Sequence, residues 1–328
     1  MTVLVNMIVT LGMLGIVPAG LLLIDPAGLR RTARIWPLAA TPGALCLWLP
    51  RGAPAVALAA LYAVAALALA ARVPVRLLRA RALARTRPGR ARPRGAAAAE
   101  AAVLTALASP AVAATALVAE RGGYRLFGFD LDILALTVPH FHYAGFTAAL
   151  VAGLVCRAAA TGHPGPEDRQ RREDRERRED REHREDREDR EHRERQELRA
   201  RWAAYSVPGG TLLVLLGYFV DDWAELAGAV VLTAGMWLVA LVTWQEIRPA
   251  AGPDRRTRGL LTVSAAVLGA TMVLALWWAL GEATGIPHPT LTWMAATHGL
   301  GNALGFALCS VLAWRRLTAG PRPEVTTP

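Results

Sequence analysis

The chain has 328 residues, of which 53% are hydrophobic and 20% are charged, and its formal net charge is +10. This mixture argues against an ordinary soluble domain, because the apolar residues fall into long blocks separated by short charged loops. The basic excess does not indicate nucleic-acid binding either, since most arginines outside one charged segment lie beside apolar blocks and no basic recognition module is visible.

Apolar blocks of the length needed to cross a bilayer recur along the chain. A transmembrane helix takes about 17–25 such residues, and we count about nine blocks. They are residues 3–24, 35–49, 53–71, 96–119, 131–156, 207–220, 226–244, 260–280 and 291–313. The sequence therefore predicts an all-α, polytopic helical membrane protein with about nine transmembrane helices. The second and sixth blocks are short enough to be tilted or partly re-entrant, and the alanine-rich fourth is expected to pack inside the bundle.

The distribution of arginine predicts how these helices are oriented. Arginines cluster after the first, third, fifth, seventh and ninth blocks, whereas the alternate loops hold few basic residues and several acids. Because arginine-rich loops mark the cytoplasmic side, we expect the N-terminus outside and the C-terminus in the cytoplasm of a multi-pass inner-membrane protein. The same loops are expected to contact anionic lipid headgroups of the bilayer.

A charged segment divides the membrane domain into two parts. Residues 1–160 are expected to form about five helices, residues 202–316 about four, and residues 317–328 a disordered tail. Between the two parts, residues 161–201 form a cytoplasmic low-complexity segment in which arginine recurs at every third position from Arg172 to Arg193. Two interpretations stay open, a solvated linker and a protruding helix supported by acid-first i,i+4 pairs. The segment has no apolar seam, which argues against a coiled-coil partner.

Two polar groups lie inside apolar blocks, where polar side chains are costly and usually mark function. One is the run HFHY at residues 140–143 in the fifth block, and the other is His298 with Asn302 in the ninth. At 1.5 Å per residue, both groups lie roughly 10–17 Å below the outer surface, so they share a depth. The residues expected to line one buried pocket, open to the outside, are His140, His142, Tyr143, His298 and Asn302.

Helix geometry limits how these side chains meet. Residues i and i+2 point about 200° apart, so His140 and His142 do not face one ion in a regular helix, whereas His140 and Tyr143 share a face. Pro139 is expected to kink the fifth helix. Small residues on the fifth and ninth helices favour close approach of other helices, and packing of these two against each other would bring the histidines together.

Three functions are compatible with a buried histidine group. A titrating imidazole relays protons, which supports transport of a small solute or cation with proton-coupling histidines. Neutral imidazole also binds Zn, Cu or Fe, so His140, His142 and His298 are candidate metal ligands, and two histidines on facing helices are able to hold haem iron in a redox enzyme. The third function is structural or sensory, with polar groups that only hydrogen-bond across helices. Hydrolase and ATPase functions lack support, because no Ser-His-Asp set, HExxH or Walker motif is present.

Six acidic residues lie in the predicted outer loops. They either attract cations towards the pocket or are simply solvated. They are Asp130, Asp132, Asp221, Asp222, Glu225 and Glu282. The three cysteines lack CxxC spacing, which argues against a disulfide framework or a thiolate metal site.

Two strings carry a family resemblance. PHFHYAGF at residues 139–146, together with THGLGNALGF at residues 297–306, resembles the YndJ-like family of bacterial membrane proteins. The resemblance covers most of the membrane portion, and the arginine–glutamate segment looks private to this chain. It implies a polytopic helical architecture and no particular substrate. The residues to which it draws attention are His140, His142, Tyr143, His298 and Asn302.

Overall fold

The computed structural model describes residues 2–86, 95–161, 179–252 and 254–319. Within these ranges the chain forms nine long helices, and it contains no strand. The helices are α1 (Val3–Ile24), α2 (Arg30–Cys46), α3 (Ala53–Ala82), α4 (Ala96–Arg121), α5 (Leu131–Ala160), α6 (Glu179–Gly217), α7 (Asp222–Ala250), α8 (Arg255–Thr284) and α9 (Leu291–Thr318).

Seven of these helices are long and apolar enough to cross a membrane, by length and composition, among the described residues. The other two are α2, which has only 17 residues, and α6, whose first half is densely charged. The predicted all-α membrane architecture is confirmed. The two helices that are too short or too charged to be counted as membrane-spanning, α2 and α6, contain the two shortest apolar blocks of the sequence.

Helix α5 lies at the centre of the bundle. In its apolar stretch 72% of the residues are buried, compared with 33% in α8 and in α9. It contacts α1, α4, α6, α7 and α9. The alanine-rich α4 is buried to the same extent as α1, which confirms its predicted place inside the bundle and reflects how closely alanine lets helices pack.

The backbones of α6 and α7 come into direct contact in the hairpin that these helices form. A Cβ atom added to Gly210 would lie 2.5 Å from the backbone of Leu232, and one added to Gly228 would lie 2.5 Å from the backbone nitrogen of Val214. Glycine is therefore required where the two backbones touch, since no side chain fits between them.

The small residues of α5 and α9 do lie against other helices, as predicted, but these neighbours are α4 and α8. Gly145 of α5 lies against Ser109 of α4, while Gly301 and Gly305 of α9 lie against α8, where Val267 is the neighbour of both. The glycine pattern identified helices with close neighbours but not which neighbours they have. Helices α5 and α9 still meet, through irregular segments described below.

The predicted charged segment is only partly described. Residues 162–178 lie outside the described residues, as do residues 320–328 of the predicted tail. From Glu179 the chain forms one helix that continues into the apolar part of α6. The choice between a linker and a protruding helix therefore stays a prediction for the first half of the segment.

Candidate functional site

Three π-helical segments meet in the middle of the bundle. They are Gly12–Ile16 of α1, Phe141–Ala148 of α5 and Gly301–Leu308 of α9, and each contacts the other two. A further π-helical segment, Ala295–Gly299, precedes the last of these in α9. Such segments disturb the regular backbone hydrogen bonding and are frequent at functional sites. His142 and Tyr143 lie inside the α5 segment, and His140 is the residue just before it. In α9, His298 lies inside the first π-helical segment and Asn302 inside the second.

A cavity of about 200 Å³ lies beside these segments. His140 and Tyr143 of α5 and His298 and Asn302 of α9 all line it. The fifth and ninth helices therefore present their polar groups to one space. The rest of the wall is apolar and comes mainly from α1, α7, α8 and α9, with Val5, Ile8, Met236, Met272 and Phe306 among its members.

His142 lies apart from this cavity and is fully buried on the other side of α5. Its Nδ1 donates to the carbonyl oxygen of Val138 at 2.7 Å, and its Nε2 accepts from the hydroxyl of Tyr62 at 2.7 Å. A carbonyl oxygen only accepts, which places the ring hydrogen on Nδ1. Both ring nitrogens are thus occupied, and the imidazole fastens α5 to α3.

Both ring nitrogens of His298 are occupied as well. Nδ1 donates to the carbonyl oxygen of Thr271 at 2.8 Å, and Nε2 accepts from Nδ2 of Asn302 at 3.0 Å. The hydroxyl of Thr271 in turn donates to Oδ1 of Asn302 at 2.8 Å. This closed network holds one neutral tautomer of His298 and fastens α9 to α8.

His140 differs from the other two intramembrane histidines. No hydrogen bond to its ring is found within the described ranges, and its neighbour is the ring of Phe141, with centroids 5.8 Å apart. It lines the 200 Å³ cavity and also a second cavity of about 320 Å³. Leu136 and Leu291 line both cavities too, so His140 stands at the boundary between them.

Aromatic side chains from two connecting segments line part of the second cavity. Phe127 and Phe129 come from the loop after α4, and Phe219 comes from the turn after α6. The ring of Phe219 meets those of Phe127 and Phe129 edge to face, at centroid distances of 5.4 and 5.2 Å. Phe127 has a φ of 56°, a strained conformation for a bulky residue. The cluster joins the two halves of the chain.

Of the three predicted metal ligands, His140 and His298 line one cavity and His142 does not. The ring nitrogens of His142 and His298 that have a lone pair to offer already accept hydrogen bonds, from the hydroxyl of Tyr62 and from Nδ2 of Asn302. Among the described residues, no group of three His, Cys, Asp or Glu side chains is placed to hold an ion. The predicted set with His140 is not assembled, because the i and i+2 side chains point to opposite sides of α5.

The outer acids make local contacts instead of lining the cavities. Asp130 pairs with Arg125, Asp221 caps α7, and Glu282 pairs with His288 at 3.2 Å. No Asp, Glu or Arg side chain of the described residues lines either cavity. Their predicted role in attracting cations therefore finds no counterpart in the cavity walls.

Two residues of this region were missed by the sequence analysis, Tyr62 and Thr271. Tyr62 is the only polar side chain in the apolar block 53–71, and a buried hydroxyl in such a block requires a partner. That signal was available. Thr271 was not distinguishable from threonines such as Thr262 and Thr284, whose hydroxyls bond to carbonyl oxygens of their own helix.

Comparison with known proteins gives a single finding. A family model described as YndJ-like protein matches residues 7–306, which include both polar strings. No match was found among the curated proteins or the solved structures.

Proposed function

The chain belongs to the YndJ-like family, and we propose that it moves a small neutral solute across the membrane through the two cavities, with His140 as the proton-coupling residue. The proposal narrows the three functions that the sequence left open. It favours a solute over a metal ion or another cation as the transported species.

The observation that carries the proposal is the partly buried ring of His140, for which the described residues provide no hydrogen-bond partner. Burying an imidazole without a hydrogen bond is costly, and an intramembrane ionisable group is retained where it meets a substrate or a proton. His142 and His298 already use both ring nitrogens to join helices. His140 alone among the three is able to bind a proton or a solute without breaking a helix contact.

The position of His140 suits a coupling role. Because its ring borders both cavities, a proton taken up from one is able to leave into the other after rotation of the side chain. A neutral imidazole accepts a proton at one nitrogen and donates from the other. The same ring therefore serves as the polar contact for a solute and as the carrier of its proton.

The walls indicate the class of solute. The larger cavity, at about 320 Å³, is within the size range of small-molecule sites. Its lining is aliphatic and aromatic, with threonine hydroxyls, Tyr218 and His140 as polar groups. A mainly apolar molecule with one or two hydrogen-bonding groups matches this lining, whereas a cation would lose its hydration without a compensating charge.

We also propose that α2 and α6 cross the membrane, which gives nine crossings with the N-terminus outside. Both helices carry exposed large apolar side chains, such as Leu38 on α2 and Leu212 on α6. Such faces on helices of a membrane bundle have lipid as their natural neighbour. The alternation of arginine-rich and arginine-poor loops supports the same orientation.

Cysteine labelling in intact cells tests these crossings. We expect Ala53→Cys and Val220→Cys to react with a membrane-impermeant maleimide, and Arg30→Cys and Arg195→Cys to react only after permeabilisation. Arg30 is the first residue of α2 and Ala53 lies beyond its other end, and Arg195 and Val220 lie on either side of the apolar part of α6. If Arg30→Cys and Ala53→Cys react from the same side, α2 does not cross the membrane. If Arg195→Cys and Val220→Cys react from the same side, α6 does not cross it.

The function is tested in liposomes that contain the purified protein and a trapped pH indicator. A panel of small neutral solutes is applied with and without a pH gradient, and proton movement that depends on solute is recorded. We expect His140→Gln to lower the coupled flux by about tenfold or more, as is typical when a proton-transfer group is removed. His192→Gln is the matched control, because His192 is exposed on the charged half of α6. Solute-dependent flux that is equal in the two variants, or its absence in the wild type, would contradict the proposal.

A further inference from the structure

A third cavity lies at one end of α8 and α9, where the first turns of α8 meet the last turns of α9. Its volume is about 850 Å³, larger than that of either central cavity. Its walls divide into a charged part and an apolar part. The charged part is formed by Asp254, Arg255, Arg256, Arg315 and Arg316, and the apolar part by Leu260, Val263 and Leu312.

In the described part of the chain, the charged wall contains one arginine that is paired with Asp254 and three arginines that form no ion pair. Asp254 caps α8 by accepting from the backbone N–H of Thr257 at 3.3 Å, and it pairs with Arg316 at 2.8 Å. Hydrogen bonds from Thr257 and from Arg316 hold the pKa of Asp254 well below its usual range. The carboxylate therefore stays charged at neutral pH and keeps Arg316 occupied, which fixes the distance between the ends of α8 and α9.

The remaining arginines of the cavity are unpaired. Within the described ranges, Arg255, Arg256 and Arg315 form no ion pair, and all three are exposed. Four arginines and one aspartate give this wall a formal charge of 4 − 1 = +3. Guanidinium groups in such a cluster are suited to bind a phosphate through paired N–H···O bonds.

The apolar wall identifies which phosphate compound fits. Val263 is 44% exposed and Leu312 is 40% exposed, although both lie on helices of the membrane bundle. They continue from the arginines along the sides of α8 and α9 that face outward. A soluble anion gains nothing from these side chains, whereas an acyl chain buries them.

We propose that this cavity binds an anionic phospholipid, with the phosphate held by Arg255, Arg256 and Arg315 and an acyl chain lying against Val263 and Leu312. The ion pair between Asp254 and Arg316 keeps the cavity open in the absence of lipid. The proposal rests on this cavity alone and is independent of the transported solute.

Native mass spectrometry of the purified full-length protein tests the proposal. The protein, in a neutral detergent, is titrated with phosphatidylglycerol or with phosphatidylcholine of the same chain length. We expect the wild type to prefer phosphatidylglycerol by about tenfold, which is the effect of a few arginines at the headgroup level. We expect R255Q/R256Q/R315Q to lose the preference. The control R30Q/R31Q/R34Q removes three exposed arginines from the start of α2 and is expected to keep it.

A second variant separates a lipid site from general attraction of anions. Leu312→Asn leaves every charge in place and is expected to weaken phosphatidylglycerol binding several-fold, because the acyl chain loses its apolar contact. Unchanged binding in Leu312→Asn would overturn the proposal, as would equal losses in the two triple variants. Displacement of the lipid by inorganic phosphate at a similar concentration would indicate a soluble anion and would overturn it too.

Discussion

Glu120→Gln is expected to destabilise the protein by about 3–5 kcal/mol, the range for removing one partner of a buried ion pair. Glu120 is 1% exposed at the end of α4, and its carboxylate binds two arginines. Nε of Arg51 lies 2.9 Å from Oε1, and Nη2 of Arg121 lies 2.6 Å from the same oxygen. The substitution removes the negative charge and leaves the guanidinium of Arg121 buried without a counterion.

The consequences of this change extend to the connection between α2 and α3. Arg121 also donates to the carbonyl oxygens of Cys46 and Leu49, at 3.4 and 3.3 Å. Its own carbonyl oxygen accepts from the backbone N–H of Gly52 at 3.0 Å. The guanidinium therefore holds the end of α2 and the following loop against α4. We expect that loop to become accessible to protease in Glu120→Gln.

The measurement is the free energy of unfolding in mixed micelles, followed as a function of denaturing detergent. Asp130→Asn is the matched control, since Asp130 pairs with Arg125 while both side chains are mostly exposed. Exposed pairs contribute about 0–1 kcal/mol, so this variant is expected to unfold almost like the wild type. Equal losses of stability in the two variants would show that Glu120 is not a buried partner.

The sequence was sufficient for the architecture because bilayer-length apolar blocks leave the chain few alternatives. The high alanine content of the fourth block placed α4 in the interior. The sequence did not identify which helices are neighbours. The glycines of α9 indicated that another helix comes close, but only the structure shows that the neighbouring residue is Val267 of α8. Partner choice depends on the shapes of all nine helices together, which no local pattern records.

The candidate site, like the fold, was predictable only in part. The shared level of the two polar groups followed from the rise of a helix, and the divergence of His140 and His142 followed from its period. Which of the two faces the cavity did not follow, because this depends on Tyr62 of α3 offering a hydroxyl to His142. The π-helical segments were also unpredictable, since an inserted residue in a helix leaves no signal in hydrophobic periodicity.

The third cavity shows a further limit of sequence reasoning. Arg255 and Arg315 are 60 positions apart, and the sequence analysis interpreted them only as members of arginine-rich loops that orient the helices and contact lipid headgroups. Their joint cavity depends on the antiparallel contact of α8 and α9. A charge pattern therefore predicted the side of the membrane without predicting a site.

The second large loss of stability is expected from a substitution in the hairpin of α6 and α7. Two adjacent glycines, Gly209 and Gly210, provide the control and the test. Gly210→Ala is expected to cost about 2 kcal/mol or more, because the added Cβ would lie 2.5 Å from the backbone of Leu232. Overpacking in a well-filled interior costs about 1–3 kcal/mol, and here backbone atoms have to move instead of a flexible side chain. We expect α6 and α7 to separate locally and the unfolding free energy to fall.

Gly209→Ala is the control, since a Cβ added at Gly209 meets nothing within 4 Å. Alanine has a higher helix propensity than glycine, by up to about 1 kcal/mol, so this variant is expected to be as stable as the wild type or more so. The two changes add the same methyl group to neighbouring positions of one helix, and their difference in unfolding free energy therefore isolates the helix contact. If both variants lose stability equally, the cause is the helix itself and not its packing against α7. If neither loses stability, the backbones of α6 and α7 do not touch at Gly210.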